Sequence, residues 1–413
     1  MPEKIAIIGG GAAGFFAAIA CARANPANEV SIYERGSEFL TKVRISGGGR
    51  CNVTHACFDA RAMSERYPRG QRALISPLHR FSASDTAAWF EERGVKLKTE
   101  ADGRMFPVTD SSQTVIDCLI NEATSAGVRL FARRGVEQVT RVGTGFELRF
   151  AGGRSDRCER VLLATGGTRS SSGASIAESV GHVLLPAVPS LFSFHIGAPW
   201  LQRLPGISVS EVEASVETTS LRERGPILIT HHGVSGPVIL RLSAWGARVL
   251  HAANYNFVLR VNWVPQLSEE QVRSQLRSLR ASNPNRLVLN SPLGSLPARL
   301  WEELILLAGL SRETRWTTLT RANANQLVGL LRATSFEVNG KSLNKEEFVT
   351  CGGVYLREID FKTMESRLVR NLYFAGEMID IDGITGGFNF QAAWTTAWIA
   401  GNAMAVAGIG DSA

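Results

Sequence analysis

The sequence predicts an α/β fold in which a Rossmann-like domain is interrupted by an inserted, β-barrel-like domain with a helical piece. Three observations predict it. Residues 4–34, KIAIIGGGAAGFFAAIACARANPANEVSIYE, place a short apolar run, a glycine-rich turn, a small-residue helix and a second apolar run in βαβ order. Pro186 and Pro189 then mark a change of character, after which a different unit of alternating β segments and a helical block runs to about residue 345. After 345 the first character returns in VTCGGVY, NLYFAGEMIDIDG and a last helical stretch. The expected division is therefore 1–188 and 346–413 for the nucleotide domain and 189–345 for the insert.

Taken in order, Ile5 to Ile8 read as a strand that meets Gly9, Gly11 and Gly14 in G-x-G-x-x-G spacing. Gly9 allows the tight turn, Gly11 lets the backbone approach a pyrophosphate, and Gly14 lets helix and strand pack closely. The helix N-terminus offers free N–H groups and a positive dipole end to phosphate. Val30 to Tyr33 form the second strand and end on Glu34, twenty residues after Gly14. An acid there accepts from a ribose with free hydroxyls and repels a 2′-phosphate. Residues 36–55 read as a glycine-rich loop. Residues 70–126 read as mainly helical, broken by a turn-rich GRMFPVTDSS at 103–112, with Asp110 or Ser111 as the next N-cap. Strands are expected at 128–131, 136–142 and 145–150, and RVLLATGG at 160–167 reads as a buried strand entering a glycine turn. In the insert, strands are expected at 190–196, 209–218, 226–230 and 256–263, and a helical block at about 268–332 is broken by Pro284, Pro292 and Pro297.

Composition narrows the class. A 413-residue chain with 44% hydrophobic and 20% charged residues has the make-up of a globular protein of two or three units. Residues 5–22 are almost wholly apolar, but their four glycines and missing basic flank argue against a signal peptide or membrane anchor. The expectation is a cytoplasmic protein, away from membranes, with a monomer favoured. The six cysteines form no C-x-x-C and lack histidine neighbours at ligand spacing, so reduced thiols and no metal are expected. The net charge of +7 includes a basic density at Arg61, Arg66, Arg69, Arg72 and Arg80. Without interleaved aromatics this reads as a solvated face, or as attraction of an anionic cofactor and substrate, rather than a nucleic-acid platform, and nucleic acid is not an expected partner.

Later motifs convert a dinucleotide into FAD. Ala164, Thr165 and Gly166 form a bare turn after a strand; Gly376 and Glu377 follow the strand of LYFAGEMIDIDG; Gly386 and Gly387 clear space before a helix that begins near Asn389. The positive end of that helix would stabilise charge on a reduced flavin. Gly47, Gly48 and Gly49, flanked by Lys42, Arg44 and Arg50, can form a backbone nest for an anion, with Cys51 and Asn52 reaching the flavin edge.

The motifs IIGGGAAG, ISGGGRCNVTH, LLATGG, ITHHGVSGPVIL, VTCGGV and AGEMIDIDGITGGFNFQAAW span nearly the whole chain. With them the sequence resembles the bacterial BaiN/YhiN-like flavoproteins, the aminoacetone-oxidase family of FAD-binding oxidoreductases. The resemblance implies an FAD domain of glutathione-reductase type with a barrel-like insert. It implies that Gly9, Gly11, Ala13, Gly14, Glu34 and Arg35 hold the ADP half of FAD, and that Val136 meets the adenine through its backbone. It implies that Lys42, Arg44, Gly48, Arg50, Cys51 and Asn52 surround the pyrophosphate and flavin. Gly376, Glu377, Gly387, Phe388, Asn389 and Gln391 would close the site. The sequence departs from the family at TRSSSGASIAESVG, 168–181.

Flavin carries its own redox chemistry, so few catalytic side chains are required. The weak catalytic candidates are His231 and His232 in ITHHGVSGP, with Cys51 and Arg50. No second G-x-G-x-x-G occurs in strand–turn–helix context, so NADH or NADPH is at most a transient electron donor. The expected function is an FAD-dependent oxidoreductase acting on a small organic substrate as an NAD(P)H-fed reductase. The alternatives are a flavin amine oxidase that releases hydrogen peroxide and an RNA- or protein-binding redox flavoprotein.

Overall fold

The computed structural model describes residues 2–169, 172–342 and 349–406. Two compact units divide the chain: Met1–Ser190 with Lys345–Ala413, and Leu191–Asn344. The expected boundary at 345, and Ser170 and Ser171 of the divergent stretch, lie outside the described residues.

In the first unit, a seven-stranded sheet among the described residues runs Ile359–Asp360, Glu365–Ser366, Leu372–Phe374, Arg160–Leu163, Lys4–Ile8, Glu29–Tyr33 and Arg129–Phe131. The five strands from Leu372–Phe374 onward are parallel. Their sequences KIAII, EVSIY, RVLL and LYF are apolar almost throughout because helices cover both faces of a parallel sheet. Helix Ala12–Ala24 packs against the C-terminal helix Phe388–Val406. The two backbones come so close that a Cβ on Gly401 would lie 2.4 Å from the Ala17 carbonyl oxygen. Ser111 caps helix Ser112–Ser125 by accepting from the Gln113 N–H, as the sequence suggested.

Two stretches differ from the sequence expectation. Thr41–Gly49 begins as a helix and not as a loop, and it breaks where Ser46, Gly47 and Gly48 leave helical geometry. The turn-rich stretch contains a strand, Arg104–Pro107, paired with Leu97–Thr99 and Thr54–His55. Such short strands carry too little alternation to be seen in sequence and exist because their partners lie elsewhere in the chain.

In the second unit, strands Ser193–Ile196, Gly233–Ser235, Arg222–Thr230, Ser208–Val216, Asn256–Asn262 and Thr334–Ser342 close an antiparallel barrel. Helices Glu269–Ser282, Ala298–Leu307 and Arg321–Ala333 supply the helical piece. Trp263, Trp301 and Trp316 are fully buried in a core shared by strands and helices. The buried indoles find acceptors, Trp263 at Thr334 Oγ1 (2.8 Å) and Trp301 at the Val288 carbonyl (2.9 Å).

Candidate functional site

The first unit gathers most of the predicted site residues at the carboxyl ends of the parallel strands, where open α/β sheets bind ligands. Gly9 has φ +112°, and a Cβ there would meet the Ala164 carbonyl oxygen at 2.4 Å. A Cβ on Gly14 would lie 1.9 Å from the Gly9 carbonyl oxygen, so helix and turn touch directly. A Cβ on Gly11 would meet nothing within 4 Å. The turn is thus packed on its inner side and open at the position that must admit a pyrophosphate. Gly11 is also the N-cap of helix Ala12–Ala24 and has no side chain to cap it, so first-turn N–H groups are left for a ligand. These features fit the phosphates of FAD.

Glu34 directly follows the second strand, Glu29–Tyr33. Its carboxylate accepts from the N–H of Gly10 (2.8 Å) and of Gly36 (2.6 Å) and so ties the glycine turn to the strand end. The exposed Arg35 follows. The segment leading to Val136 lies alongside, where the N–H groups of Arg133 and Arg134 donate to the carbonyls of Gly36 (2.8 Å) and Glu34 (2.7 Å). Lys42 pairs with Glu377 at 2.5 Å, joining two motifs 335 residues apart. A Cβ on Gly166 would sit 3.8 Å from the Glu377 carboxylate and 3.9 Å from the Lys42 amine. Thr165 and Gly376 border the same region, Thr165 through Met378 Sδ (3.3 Å) and Gly376 against Ala13.

The triple-glycine turn is exposed, and Gly47, Gly48 and Gly49 all have positive φ. Arg50 (φ −94°) and Cys51 (φ +60°) continue it with alternating sign, the backbone pattern of an anion nest. A Cβ on Gly48 or Gly49 would meet nothing within 4 Å. Arg44 instead bonds Gln113 Oε1 (2.8 Å). Arg50 donates to Glu100 (2.7 Å), lies 3.5 Å from Asp110 and covers the Phe106 ring at 4.0 Å. Its charge is answered within the protein, which argues against a catalytic role. The setting of Cys51 argues against a catalytic role as well. It is fully buried, and burial pushes its thiol up to about 12, so it is a protonated thiol near neutral pH and not a nucleophile.

Asn52, with its amide oriented by its neighbours, accepts from the Gly387 N–H (2.9 Å) and donates to the Thr54 carbonyl (2.9 Å). Gln391 is buried and bonds Thr54 Oγ1 (2.6 Å) and Thr395 Oγ1 (3.0 Å). The Asn389 side chain accepts from the Gly383 N–H (2.8 Å) and donates to the Gly383 carbonyl (3.0 Å). The side chains of Asn389 and Gln391 are thus engaged inside the protein, where they hold ISGGGRCNVTH and GGFNFQAA in place. Phe388 stacks on His55 with ring centroids 4.7 Å apart.

His231 and His232 occupy an exposed turn of the barrel unit, between Arg222–Thr230 and Gly233–Ser235. The His232 ring lies 6.2 Å from that of His195. Sequence reasoning passed over His195, whose Nδ1 lies 2.6 Å from Asn339 Oδ1. It also passed over Thr54, Tyr67 and Asp382, whose partners lie far away in sequence. All six cysteines are free thiols, and no cluster of metal-ligating side chains occurs among the described residues. No described helix is long and apolar enough to cross a membrane.

This Rossmann-type FAD-binding domain with a barrel insert defines a flavin-dependent oxidoreductase. Residues 3–403 match the HI0933-like protein Rossmann domain, and the chain belongs to that family. It is 30% identical over 411 residues to the 3-dehydro-bile acid delta(4,6)-reductase of Clostridium scindens, covering 98% of this chain and 99% of that protein. It is 31% identical over 401 residues to the ribosomal RNA dihydrouridine synthase of Escherichia coli, covering 95% of each. Among solved structures, the 3-ketosteroid-delta4-(5alpha)-dehydrogenase of Rhodococcus jostii RHA1 aligns with a TM-score of 0.51 at 13% identity. That alignment covers 98% of this chain and 97% of the other, a likeness of fold.

Proposed function

We propose that this protein is an FAD-dependent reductase that saturates a carbon–carbon double bond conjugated to a carbonyl in a small organic substrate, with electrons from NADH or NADPH. One observation carries the reading: relatives of near-equal identity are named a 3-dehydro-bile acid delta(4,6)-reductase and a ribosomal RNA dihydrouridine synthase, and such a saturation fits both names. When bound, FAD supplies the hydride chemistry. In this reading the Gly9–Gly14 turn and the helix behind it receive the pyrophosphate, and Glu34 receives the adenosine ribose. The Gly47–Cys51 nest adds positive potential through its N–H groups, the Lys42–Glu377 pair borders the same region, and the N-terminus of Phe388–Val406 faces developing negative charge on the flavin. His231 and His232 are the candidate proton donors on the insert.

A second reading places the reduced double bond in a uracil of RNA. The two ribosomal RNA dihydrouridine synthases among the relatives and the net charge of +7 favour it, against the sequence-level expectation of no nucleic acid. The test is an anaerobic titration with NADH and then NADPH, following flavin absorbance. The reduced protein is then mixed with a 4,6-dien-3-one steroid or with unmodified ribosomal RNA. Bleaching followed by reoxidation supports the reading, and the reoxidising substrate chooses its form. Resistance to both nicotinamides, with peroxide released from amines, would replace it by the oxidase.

A further inference from the structure

The stretch Arg61–Arg80, read from sequence as a solvated basic face, contains an element of another kind. Arg69 is nearly buried and forms a two-pronged ion pair with Asp382, Nε to Oδ1 at 2.5 Å and Nη2 to Oδ2. Asp382 is fully buried, and Ser190 Oγ donates to its Oδ2 (2.8 Å). Arg69 and Asp382 also form an isolated antiparallel β-bridge. Three further links join the same two segments. The Ile384 N–H donates to the Arg66 carbonyl (3.0 Å). The fully buried Tyr67 hydroxyl donates to the Phe388 carbonyl (2.6 Å). Gly70, at φ +85°, leaves room for Ile381, which a Cβ there would approach to 2.4 Å.

We infer that Arg66–Gly70 is a splint that positions the loop Ile381–Phe388, and through it the N-terminus of the C-terminal helix, against the flavin. A loop with Gly383, Gly386 and Gly387 has many conformations open to it, so its geometry must be imposed from outside. A planar, bidentate guanidinium on a buried carboxylate imposes orientation as well as distance. The Tyr67 bond fixes the Phe388 carbonyl at the first residue of the helix. Arg69 and Tyr67 are positioning residues in this account. The inference rests on the FAD reading above.

The experiment compares wild type with Tyr67→Phe, Arg69→Lys and the pair Arg69→Met with Asp382→Asn, which removes both buried charges together. FAD affinity is measured by fluorescence titration of apoprotein, the bound flavin by its visible absorption band, and the fold by apoprotein melting. The expected result is weaker FAD binding in Tyr67→Phe and in the double variant, by about tenfold to a hundredfold as for other outer supports of a ligand site. The flavin band shifts, and FAD affinity falls by more than the modest loss of apoprotein melting that a broken buried hydrogen bond entails. Arg69→Lys, which keeps the charge without the fork, loses less than the double variant. Wild-type affinity and an unshifted band in Tyr67→Phe and the double variant overturn the inference alone. FAD loss that only tracks a loss of apoprotein melting also overturns it, since the segment then merely stabilises the fold. Wild-type protein that binds no FAD overturns the functional reading as well.

Discussion

Gly11→Asp separates binding from folding. A Cβ at Gly11 meets nothing within 4 Å, and the backbone there, φ −91° and ψ −169°, suits any residue. Asp is also a good N-cap, so helix Ala12–Ala24 changes by only a few tenths of a kcal/mol, roughly, relative to Gly. The whole cost falls on the ligand. A carboxylate about 4 Å from a pyrophosphate charge, at an effective dielectric of about 20, is repelled by about 4 kcal/mol, which is about a thousandfold in Kd. Gly14→Ala is the control with the opposite signature: its Cβ would lie 1.9 Å from the Gly9 carbonyl oxygen, so the turn must move and the fold weakens by about 1–3 kcal/mol or more. The assay is FAD retained after gel filtration, with a fluorescence titration of apoprotein and its melting curve. Gly11→Asp should melt like wild type and come off the column colourless; Gly14→Ala should melt early. A yellow, fully loaded Gly11→Asp protein would refute the assignment of this turn, and early melting of Gly11→Asp apoprotein would refute the geometry.

Glu34→Ala removes acceptors from the N–H groups of Gly10 and Gly36. It should lower both FAD affinity and apoprotein melting, by about 1.5–3 kcal/mol per charged hydrogen bond lost; an unchanged melting curve would show that the acid serves the ligand alone. Cys51→Ala should keep flavin reduction by nicotinamide, and native Cys51 should resist a maleimide near neutral pH, because burial keeps the thiol protonated; mass spectrometry of the labelled protein checks the second point. Burial outweighs the neighbouring Glu358 (2.9 Å) and holds His182 below the usual imidazole range. The neutral form is therefore favoured in the fold, while the unfolded chain takes up a proton near the ordinary value of 6.5. Its contribution is complete above that value and is lost as pH falls below it toward the folded value. Melting curves between about pH 8 and about pH 5.5 should show this loss, and a smaller one in His182→Gln; equal losses in both would dismiss the group as a cause.

The nucleotide turn was legible because its information is local. Gly9, Gly11, Gly14 and Glu34 stand at spacings that one strand, one turn and one helix convert directly into positions in space. The parallel strands were legible for a related reason, since burial on both faces leaves continuous apolar runs such as RVLL. The barrel strands showed their alternation, and Ser111 showed its cap. What sequence could not assign were groups whose meaning lies in a distant partner. Thr41–Gly49 looked like a loop because its glycines hide a helical first turn. Arg104–Pro107 looked like a turn because its strand character comes from pairing with Leu97–Thr99 and Thr54–His55. Arg69 looked like one more surface cation, yet its carboxylate stands 313 residues away; nothing in the sequence joined Gln391 to Thr54, 337 residues away. Local spacing along the chain determined the cofactor turn, whereas the brace around it exists only after the two ends of the chain meet, since a buried charge or amide is stable only where the fold brings its partner.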